Sequence, residues 1–593
     1  MTDTRQIAAT VAALPASAAE RFADRLAARY KVDQEWRELT YAQAGESIAQ
    51  LALGLIDVGL QRGDRVGLAS DTRLEWSLAS YAISAAGAVV VPIYPTNSPP
   101  ECEWVLGNSG ARAVVCEDAT QLEKIEHVRR GLPELVHTIG IEPGGGELML
   151  AELRQRGSAR DRDELTSRQQ AVEPSDDYTI VYTSGTTGPP KGVVLTHANA
   201  MCVCHAIEQI KFINADEVTY LYLPLAHAFA LTVHLASYDQ GTAIAYYGGD
   251  TKQILPELAE TKPTYLPSVP RIFEKLYAAA IKLQEHASPE DRERFAQAIK
   301  LGVEVRRRRE RGEPVPEQMA APFEQVDQHI FARVRDLFGG RIDKAVTGAA
   351  PIAPEILEFF YAAGVPVLEG WGMTETVALG AVATLEHFKF GTVGRALPGV
   401  ELRIAPQDGE ILMRGPNVFR EYWRNPAATA ETLADGWLHT GDIGELDDEG
   451  YLKITGRKKD IIITAGGKNL TPANIENDLK QSRYISHAVM FGDRKPYPVA
   501  LITLDFDEIV PWAKERGLPE DGASLAHDGQ VRALVQTELD RANANYAQVE
   551  QVKKFVLLDH DLSIESGELT PTLKVKRNVI NDRYADVFES MYD

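Results

Sequence analysis

Apolar residues fall in two spacings along this chain. Short runs rich in β-branched side chains read as buried strands: Arg65-Val-Gly-Leu68, Ala88-Val-Val-Val91, Ala113-Val-Val115, Thr179-Ile-Val-Tyr182, Val193-Val-Leu195, Ala243-Ile-Ala245, Ala345-Val-Thr347 and Val365-Pro-Val-Leu368. Between them lie helical patterns, such as Tyr41 to Val58 and Pro354 to Ala363. Strands alternating with helices predict layered, largely parallel α/β sheets up to about Gly399. Beyond Gly399 the texture changes to short strands and turns: Val400 to Ile404, Gly409 to Arg414, Gly436 to Leu446 and Gly450 to Thr455, with turn signals at Asp408-Gly and Asp435-Gly. This predicts a β-rich subdomain over about 395–455. The charged joint Gly456-Arg-Lys-Lys-Asp460 then leads into a further compact segment. The expected fold class is α/β: a large N-terminal domain of layered α/β sheets with the β-rich subdomain (1–458), plus a small mobile C-terminal α+β domain (459–593).

Two segments test for membrane insertion. Ser77 to Val91 is the longest apolar stretch, but Ala and Ser dominate it, and it reads as a packed helix followed by the strand Val89-Val-Val91. Ile7 to Leu14 faintly imitates a signal peptide, but Asp3 spoils its basic start and Pro15 interrupts it. No transmembrane helix is expected. A basic run, Arg306-Arg-Arg-Arg309, sits in a polar excursion from about Glu285 to Gln318. Such a helix can dock on a membrane surface, while Glu304 and Glu310 favour an ordinary solvated helix.

The 593 residues are too many for one core, and the net charge of −23 argues against general nucleic-acid binding. It leaves polyphosphate substrates open, because local lysines and a metal ion can offset the overall field. The four cysteines, Cys102, Cys116, Cys202 and Cys204, are too few for a disulfide scaffold and fit a reducing cytosol. Cys202-Val-Cys204 lacks the spacer of a metal or redox pair and reads as two small buried hydrophobes.

The chemistry concentrates in Thr183-Ser-Gly-Thr-Thr-Gly-Pro-Pro-Lys-Gly192, directly after a strand-like run. Gly185 and Gly188 allow a tight turn and close approach to a ligand. Turned backbone N–H groups make an anion cradle. Thr183, Ser184, Thr186 and Thr187 add short donors, and Lys191 adds a point charge. A nucleoside triphosphate is the natural guest. The P-loop of NTPases fails here, because Pro190 stands where that motif needs glycine and Gly192 where it needs Ser or Thr.

Further blocks follow in order: Tyr222-Leu-Pro-Leu-Ala-His227, Thr347-Gly-Ala-Ala-Pro-Ile352, Glu369-Gly-Trp-Gly-Met-Thr-Glu-Thr376, His439-Thr-Gly-Asp442, Gly456-Arg-Lys-Lys-Asp-Ile-Ile462 and Leu569-Thr-Pro-Thr-Leu-Lys574. With the 183–192 loop, the chain resembles the ANL superfamily of adenylate-forming enzymes over almost its whole length, and within it the bacterial long-chain fatty acyl-CoA synthetases. The resemblance implies an ATP- and Mg²⁺-dependent acid–thiol ligase. A carboxylate would attack the α-phosphate of ATP to give an acyl adenylate and pyrophosphate, and CoA would then take the acyl group and release AMP. Thr183, Ser184, Gly185, Thr186, Thr187, Gly188 and Lys191 would hold the β- and γ-phosphates. Thr374 would contact the α-phosphate and Glu375 the magnesium. Trp371 would stack on adenine, where tyrosine is more usual, and Gly348, Ala349 and Ala350 would line the adenine and acyl carboxyl region. Glu369, Gly370 and Gly372 belong to the same nucleotide-binding set. Asp442 would accept from the ribose hydroxyls, although a Thr-Gly-Asp turn can also be merely a cap, and Arg457 would support the ribose.

Lys574 would bridge the carboxylate and α-phosphate, with Lys576 as its rival. The common family pattern has glycine before this lysine, where this chain has Leu573. Lys459 would be the hinge on which the C-terminal domain turns, bringing Gly466 and Gly467 to a CoA channel in place of Lys574. His227 would lie near the acyl carboxylate, with a satisfied core histidine as the alternative reading, and His234 stands further along with room to share its face. The segment Thr264 to Lys275 resembles the subgroup's region beside an acyl tunnel.

The resemblance also implies fatty acid and CoA as partners and a cytoplasmic location, with peripheral membrane contact and a homodimer left open. A ligase loading a carrier protein, or using a shorter or aromatic acid, is the rival reading; the sequence ends at Asp593 with no carrier-like domain, so a free-standing enzyme is expected. A nucleotide sensor that lost catalysis would show degraded motifs, whereas Lys191, Glu375, Asp442, Arg457 and Lys574 are all present.

Overall fold

The computed structural model describes residues 8–183, 189–282, 288–466, 468–570 and 573–592. The phosphate-loop residues Ser184, Gly185, Thr186, Thr187 and Gly188, and Gly467 of the expected CoA channel, lie outside them.

Two large sheets organise the N-terminal part. In the nine-stranded sheet, Val367–Trp371, Lys344–Thr347, Tyr265–Ser268, Val218–Leu221 and Ala243–Tyr246 lie side by side in part of that order, all parallel. In the eight-stranded sheet, Asp177–Thr183, Val89–Ile93, Arg65–Ala69, Ala111–Cys116 and His137–Gly140 are parallel neighbours. Antiparallel additions stand at the sheet edges, including Lys191–Thr196 beside Asp177–Thr183.

Side-chain alternation explains the layering. Leu221, Ile244, Val346 and Leu368 of the first sheet and Val66, Leu68, Val90 and Val115 of the second share one core with helices Tyr41–Asp57, Leu74–Ala85, His197–Gln209 and Ala228–Asp239. The alternate residues Tyr220, Ala245, Ala345 and Val367 face a separate core with helices Pro270–Lys282 and Pro354–Ala363. Val89, Val91, Val114 and Cys116 likewise pack outward onto Pro99–Ser109 and Ala119–Val128. Sheets covered on both faces read as unbroken apolar runs, so these strands were plain in the sequence. Each fully buried Val, Leu or Ile adds about 1.5–3 kcal/mol.

The β-rich portion is a five-stranded sheet built from Glu401–Ile404, Glu410–Arg414, Leu433–Ala434, Trp437–Leu446 and Leu452–Arg457. Asp435 (φ 54°) and Gly436 (φ 78°) close the hairpin between Ala434 and Trp437, as a two-residue turn with both φ positive requires. The C-terminal part packs Pro472–Lys480 and Gly529–Asn543 on a sheet of Ile485–Phe491, Val499–Leu504 and Lys554–Leu557.

The basic run lies on a partly solvated helix, as the neighbouring glutamates favoured, but most of its arginines also pack on their own domain. It lies in helix Pro289–Glu310, but Arg306 is buried enough to bond Ala362 O (2.8 Å) and Asp327 (3.1 Å), and Arg308 bonds Glu304. Arg307 and Arg309 lie over the rings of Phe390 and Phe323. These cations fasten the helix to its own domain. Among the described residues no helix is long and apolar enough to cross a membrane, and all four cysteines are free.

Candidate active site

Ligands of open α/β sheets gather at the carboxyl ends of the strands. Four neighbouring parallel strands of the nine-stranded sheet end in the motif residues. Val218–Leu221 runs into Tyr222–His227, Tyr265–Ser268 into Arg271, Lys344–Thr347 into Gly348–Ala350, and Val367–Trp371 into Gly372–Thr376. Blocks separated by more than a hundred residues thereby meet at one sheet end. The packing there is close: a Cβ on Gly348 would stand 2.9 Å from Gly370 O, and one on Gly372 would stand 2.4 Å from Ala378 O.

The strands on either side of residues 184–188 form an antiparallel ladder. Thr183 and Lys191 face each other as the last pair of antiparallel strands Asp177–Thr183 and Lys191–Thr196. Lys191 Nζ lies 4.9 Å from the centre of the Tyr422 ring. The Tyr422 hydroxyl donates to Glu375 Oε1 at 2.6 Å. Burial raises the Glu375 carboxyl above the usual range, against the pull of that hydrogen bond. Thr374 and Glu375 occupy a short turn, Thr374–Thr376, that leads into two left-handed non-glycine residues, Val377 (φ 52°) and Ala378 (φ 64°). The Thr232 hydroxyl, from helix Ala228–Asp239, holds this strained turn by donating to Val377 O at 2.7 Å.

Asp442 is not in a turn, as its Thr-Gly-Asp context suggested. It sits in strand Trp437–Leu446, paired with Arg457, where the ladder to Glu410–Arg414 shifts register and Gly441 takes φ 71°. This is a bulge, a device that re-aims side chains. Buried Asp442 accepts from Trp371 Nε1 at 2.9 Å and from Arg457 Nε at 2.7 Å. Trp371 is itself buried, so its indole both packs in the core and orients the carboxylate. Glu369, on the same strand as Trp371, is pushed up to about 8 by burial, which favours the neutral acid near pH 7.

His227 caps helix Ala228–Asp239, its Nδ1 accepting from Phe229 N at 3.2 Å. Burial, with the ammonium of Lys574 nearby, lowers its pKa to about 3. A neutral ring whose Nδ1 accepts must carry its proton on Nε2, so His227 offers a fixed donor and no acid–base equivalent near pH 7. His234 does not share that role. It is buried against Tyr81, Trp76 and Tyr238.

Lys574 comes to this cleft from the C-terminal domain. Its side chain keeps an exposed surface in the cleft, yet the surrounding protein, followed by the repulsion of Arg457, draws its ammonium down to about 8 against the pull of Asp442. Lys576 is instead at the start of helix Arg577–Arg583. Leu573 adopts φ 59°, the left-handed conformation that explains why glycine suits this position.

Around Lys459 the anchoring changes sides. Lys458 binds Asp408 (2.7 Å) and Glu410 (3.1 Å) of the β-rich sheet, while Asp460 lies 4.0 Å from Arg577 in the C-terminal domain. Gly466 is exposed, and a Cβ there would meet only Thr464 Oγ1, at 3.9 Å. Arg271, at the start of helix Pro270–Lys282, reaches across to Asp505 of the C-terminal domain at 2.5 Å. An apolar cavity of about 40 Å³ lies beside the site, with Phe229, Thr232, Val233, Leu379 and Val382 among its walls.

The comparisons agree with this geometry. Residues 16–423 match the model of the AMP-binding enzyme family, and residues 459–593 match the AMP-binding enzyme C-terminal domain. The chain belongs to the AMP-binding enzyme family. It is 39% identical to the long-chain-fatty-acid--CoA ligase FadD15 of Mycobacterium tuberculosis, over 95% of this chain and 93% of that protein. It is 32% identical to the long-chain-fatty-acid--CoA ligase ACSBG2 of Xenopus laevis, over 96% and 82%. Among solved structures, the anthranilate CoA ligase AuaEII in complex with anthranoyl-AMP shares the fold, with a TM-score of 0.72 at 20% identity, covering 98% of each chain. The ANL resemblance and the α/β class with its large and small domains therefore hold for this family member.

Sequence reasoning did not find Tyr422, Thr232, Arg271 or Asp505 as site residues. Glu421–Tyr422 is a two-residue strand with no periodic pattern, and its partner strand lies far back in the chain. Thr232 sits in a helix buried on every side that carries other polar residues such as Ser237 and Tyr238, where one more hydroxyl is not conspicuous.

Proposed function

We propose that this protein is an AMP-forming acid–thiol ligase that converts a long-chain fatty acid to its acyl-CoA through an acyl adenylate. The single observation that carries this reading is that Lys574 of the C-terminal domain enters one cleft with His227 of the nine-stranded sheet and the bonded pair Asp442–Arg457 of the β-rich sheet. The similarity to long-chain-fatty-acid--CoA ligases supports the acid and the thiol.

The carboxylate oxygen attacks the α-phosphorus and pyrophosphate leaves, so negative charge gathers where Lys574 can reach both reactants. A compact ammonium on a flexible stem suits that task. His227 Nε2–H is the donor for the acid's oxygen. Asp442, held by Trp371 and Arg457, accepts from ribose, and Lys191, at the end of its strand, supplies a cation for the outer phosphates. Glu375 would hold Mg²⁺, which supplies charge neutralisation across the phosphate oxygens. Its fit rests on one buried carboxylate whose Oε1 already accepts from Tyr422, with no group of three or more His, Cys, Asp or Glu poised as metal ligands among the described residues. Magnesium commonly takes one or two carboxylates plus phosphates and waters.

For the thioester step the lid turns at Lys459, withdrawing Lys574 and bringing Gly466 and Gly467 to the CoA path. Gly466 has no steric need for glycine in the present arrangement, which suits a requirement met in the other one. The 40 Å³ cavity has room for little more than a water or two, so it does not hold a long acyl chain in this arrangement. The reading takes the enzyme as cytoplasmic, with vesicle sedimentation and analytical ultracentrifugation to test membrane contact and dimer formation. The decisive experiment supplies ATP, Mg²⁺ and acids of graded chain length, with CoA or a holo-carrier protein. Acyl-CoA formed best from long chains is expected; adenylation without CoA turnover would overturn the assignment.

A further inference from the structure

One side chain touches both the cation of the phosphate hairpin and the carboxylate assigned to the metal. Tyr422 places its ring 4.9 Å from Lys191 Nζ and its hydroxyl 2.6 Å from Glu375 Oε1. Its backbone is equally committed. Strand Glu421–Tyr422 pairs with the hairpin strand, Tyr422 opposite Val193, and Trp423 N donates to Gly192 O at 2.7 Å. Phe419 N donates to Glu375 O, also at 2.7 Å. The segment 419–423 is therefore stitched to the Lys191 strand on one side and to the Glu375 turn on the other. Tyr422 is 5% exposed and packs on Phe419, so its ring has little freedom to wander.

We propose that Tyr422 is a positioning residue that sets the spacing between Lys191 and Glu375, and so between the outer phosphates and the metal. The ring face holds the lysine through a cation–π contact. The hydroxyl occupies one oxygen of Glu375 and leaves the other to a cation. Either contact alone would be ordinary packing. Their combination on a residue clamped by backbone bonds from both sides makes the hairpin and the metal turn one unit. The inference rests on the reading that Glu375 serves the metal and Lys191 the phosphates.

The test uses the full-length protein and α,β-methylene ATP, which blocks adenylation, so that binding alone is read by titration calorimetry with and without Mg²⁺. Tyr422→Phe keeps the ring and removes the hydroxyl. It is expected to weaken Mg²⁺ binding to the nucleotide complex about tenfold while leaving metal-free nucleotide binding unchanged. Tyr422→Leu removes both contacts and should also weaken metal-free nucleotide binding, by about threefold. A Phe variant with wild-type Mg²⁺ affinity, or one that weakens both measurements equally, overturns the proposal. Glu375→Gln separates this from the underlying reading. If it leaves Mg²⁺ affinity intact, Glu375 is no metal ligand and both fall. If it abolishes the Mg²⁺ effect while Tyr422→Phe does not, the reading stands and the spacing role falls.

Discussion

Lys191 and Lys574 are the two lysines of the site, and they are held in opposite ways. Lys191 ends a β-ladder, faces Thr183 across it and rests on an aromatic ring. Lys574 stands on a loop whose preceding residue is a left-handed leucine, and its cleft opposes its charge. On the proposed reading the contrast has a reason: a cation for substrate phosphates is best built into a ladder, and one needed for a single step is best carried by a loop of a domain that can withdraw it.

The sharpest break of this contrast is Lys574→Ala. Adenylation, read as exchange of pyrophosphate into ATP, should fall about 10²–10³-fold, while thioester formation from supplied acyl adenylate is spared. Equal loss of both steps would mean that Lys574 is as fixed in its role as Lys191. The same lysine predicts a pH dependence. Its pKa is lowered to about 8, so the ammonium is present below pH 8 and lost above it. The kcat/KM for adenylation should decline on that alkaline limb, and kcat should decline at higher pH because bound anions restore the charge. The limb should vanish in Lys574→Ala.

Next in size is the ion pair between Arg271 and Asp505 of the C-terminal domain, which the proposed reading takes to favour the adenylation arrangement. Arg271→Glu should slow pyrophosphate exchange about tenfold without slowing the thioester step, and Arg271→Glu with Asp505→Arg should recover much of the loss. Double-mutant kinetics on both half-reactions check it. Thr232→Val keeps the side-chain shape and removes the donor to Val377 O. It should raise KM for MgATP about threefold to tenfold, with Thr232→Ser close to wild type. Smallest is Leu573→Gly, which relieves a left-handed leucine worth about 1 kcal/mol and loosens the unfolded chain by a similar amount. Thermal melting should shift little, while the ratio of the two half-reaction rates should move by a few-fold at most.

Much of the layered fold was legible because doubly covered sheets leave dense apolar runs. Helix Pro354–Ala363 lies where the pattern placed it, and Tyr41–Asp57 ends within a residue of it. Asp435-Gly identified its hairpin because only a tight turn with positive φ needs that pair. The motif residues were legible by their types: a hydroxyl-rich loop, a lone Trp between glycines, a lysine near the end. The basic helix is partly solvated as its glutamates favoured, but a run of arginines does not reveal that aromatic rings and a carboxylate of its own domain receive three of them. The Thr-Gly-Asp segment looked like a turn because a bulge and a turn use the same residues.

By itself, the sequence determined many of the strands and helices, the turn at Asp435-Gly436 and the order of the motif blocks that mark the family, because each depends on neighbours within a few positions. Only the tertiary structure decided that Lys574 rather than Lys576 enters the cleft, that His227 has its Nδ1 engaged, and that Tyr422 joins Lys191 to Glu375. Those facts arise from strands and domains packed across hundreds of residues, and no local pattern of polarity encodes such distances.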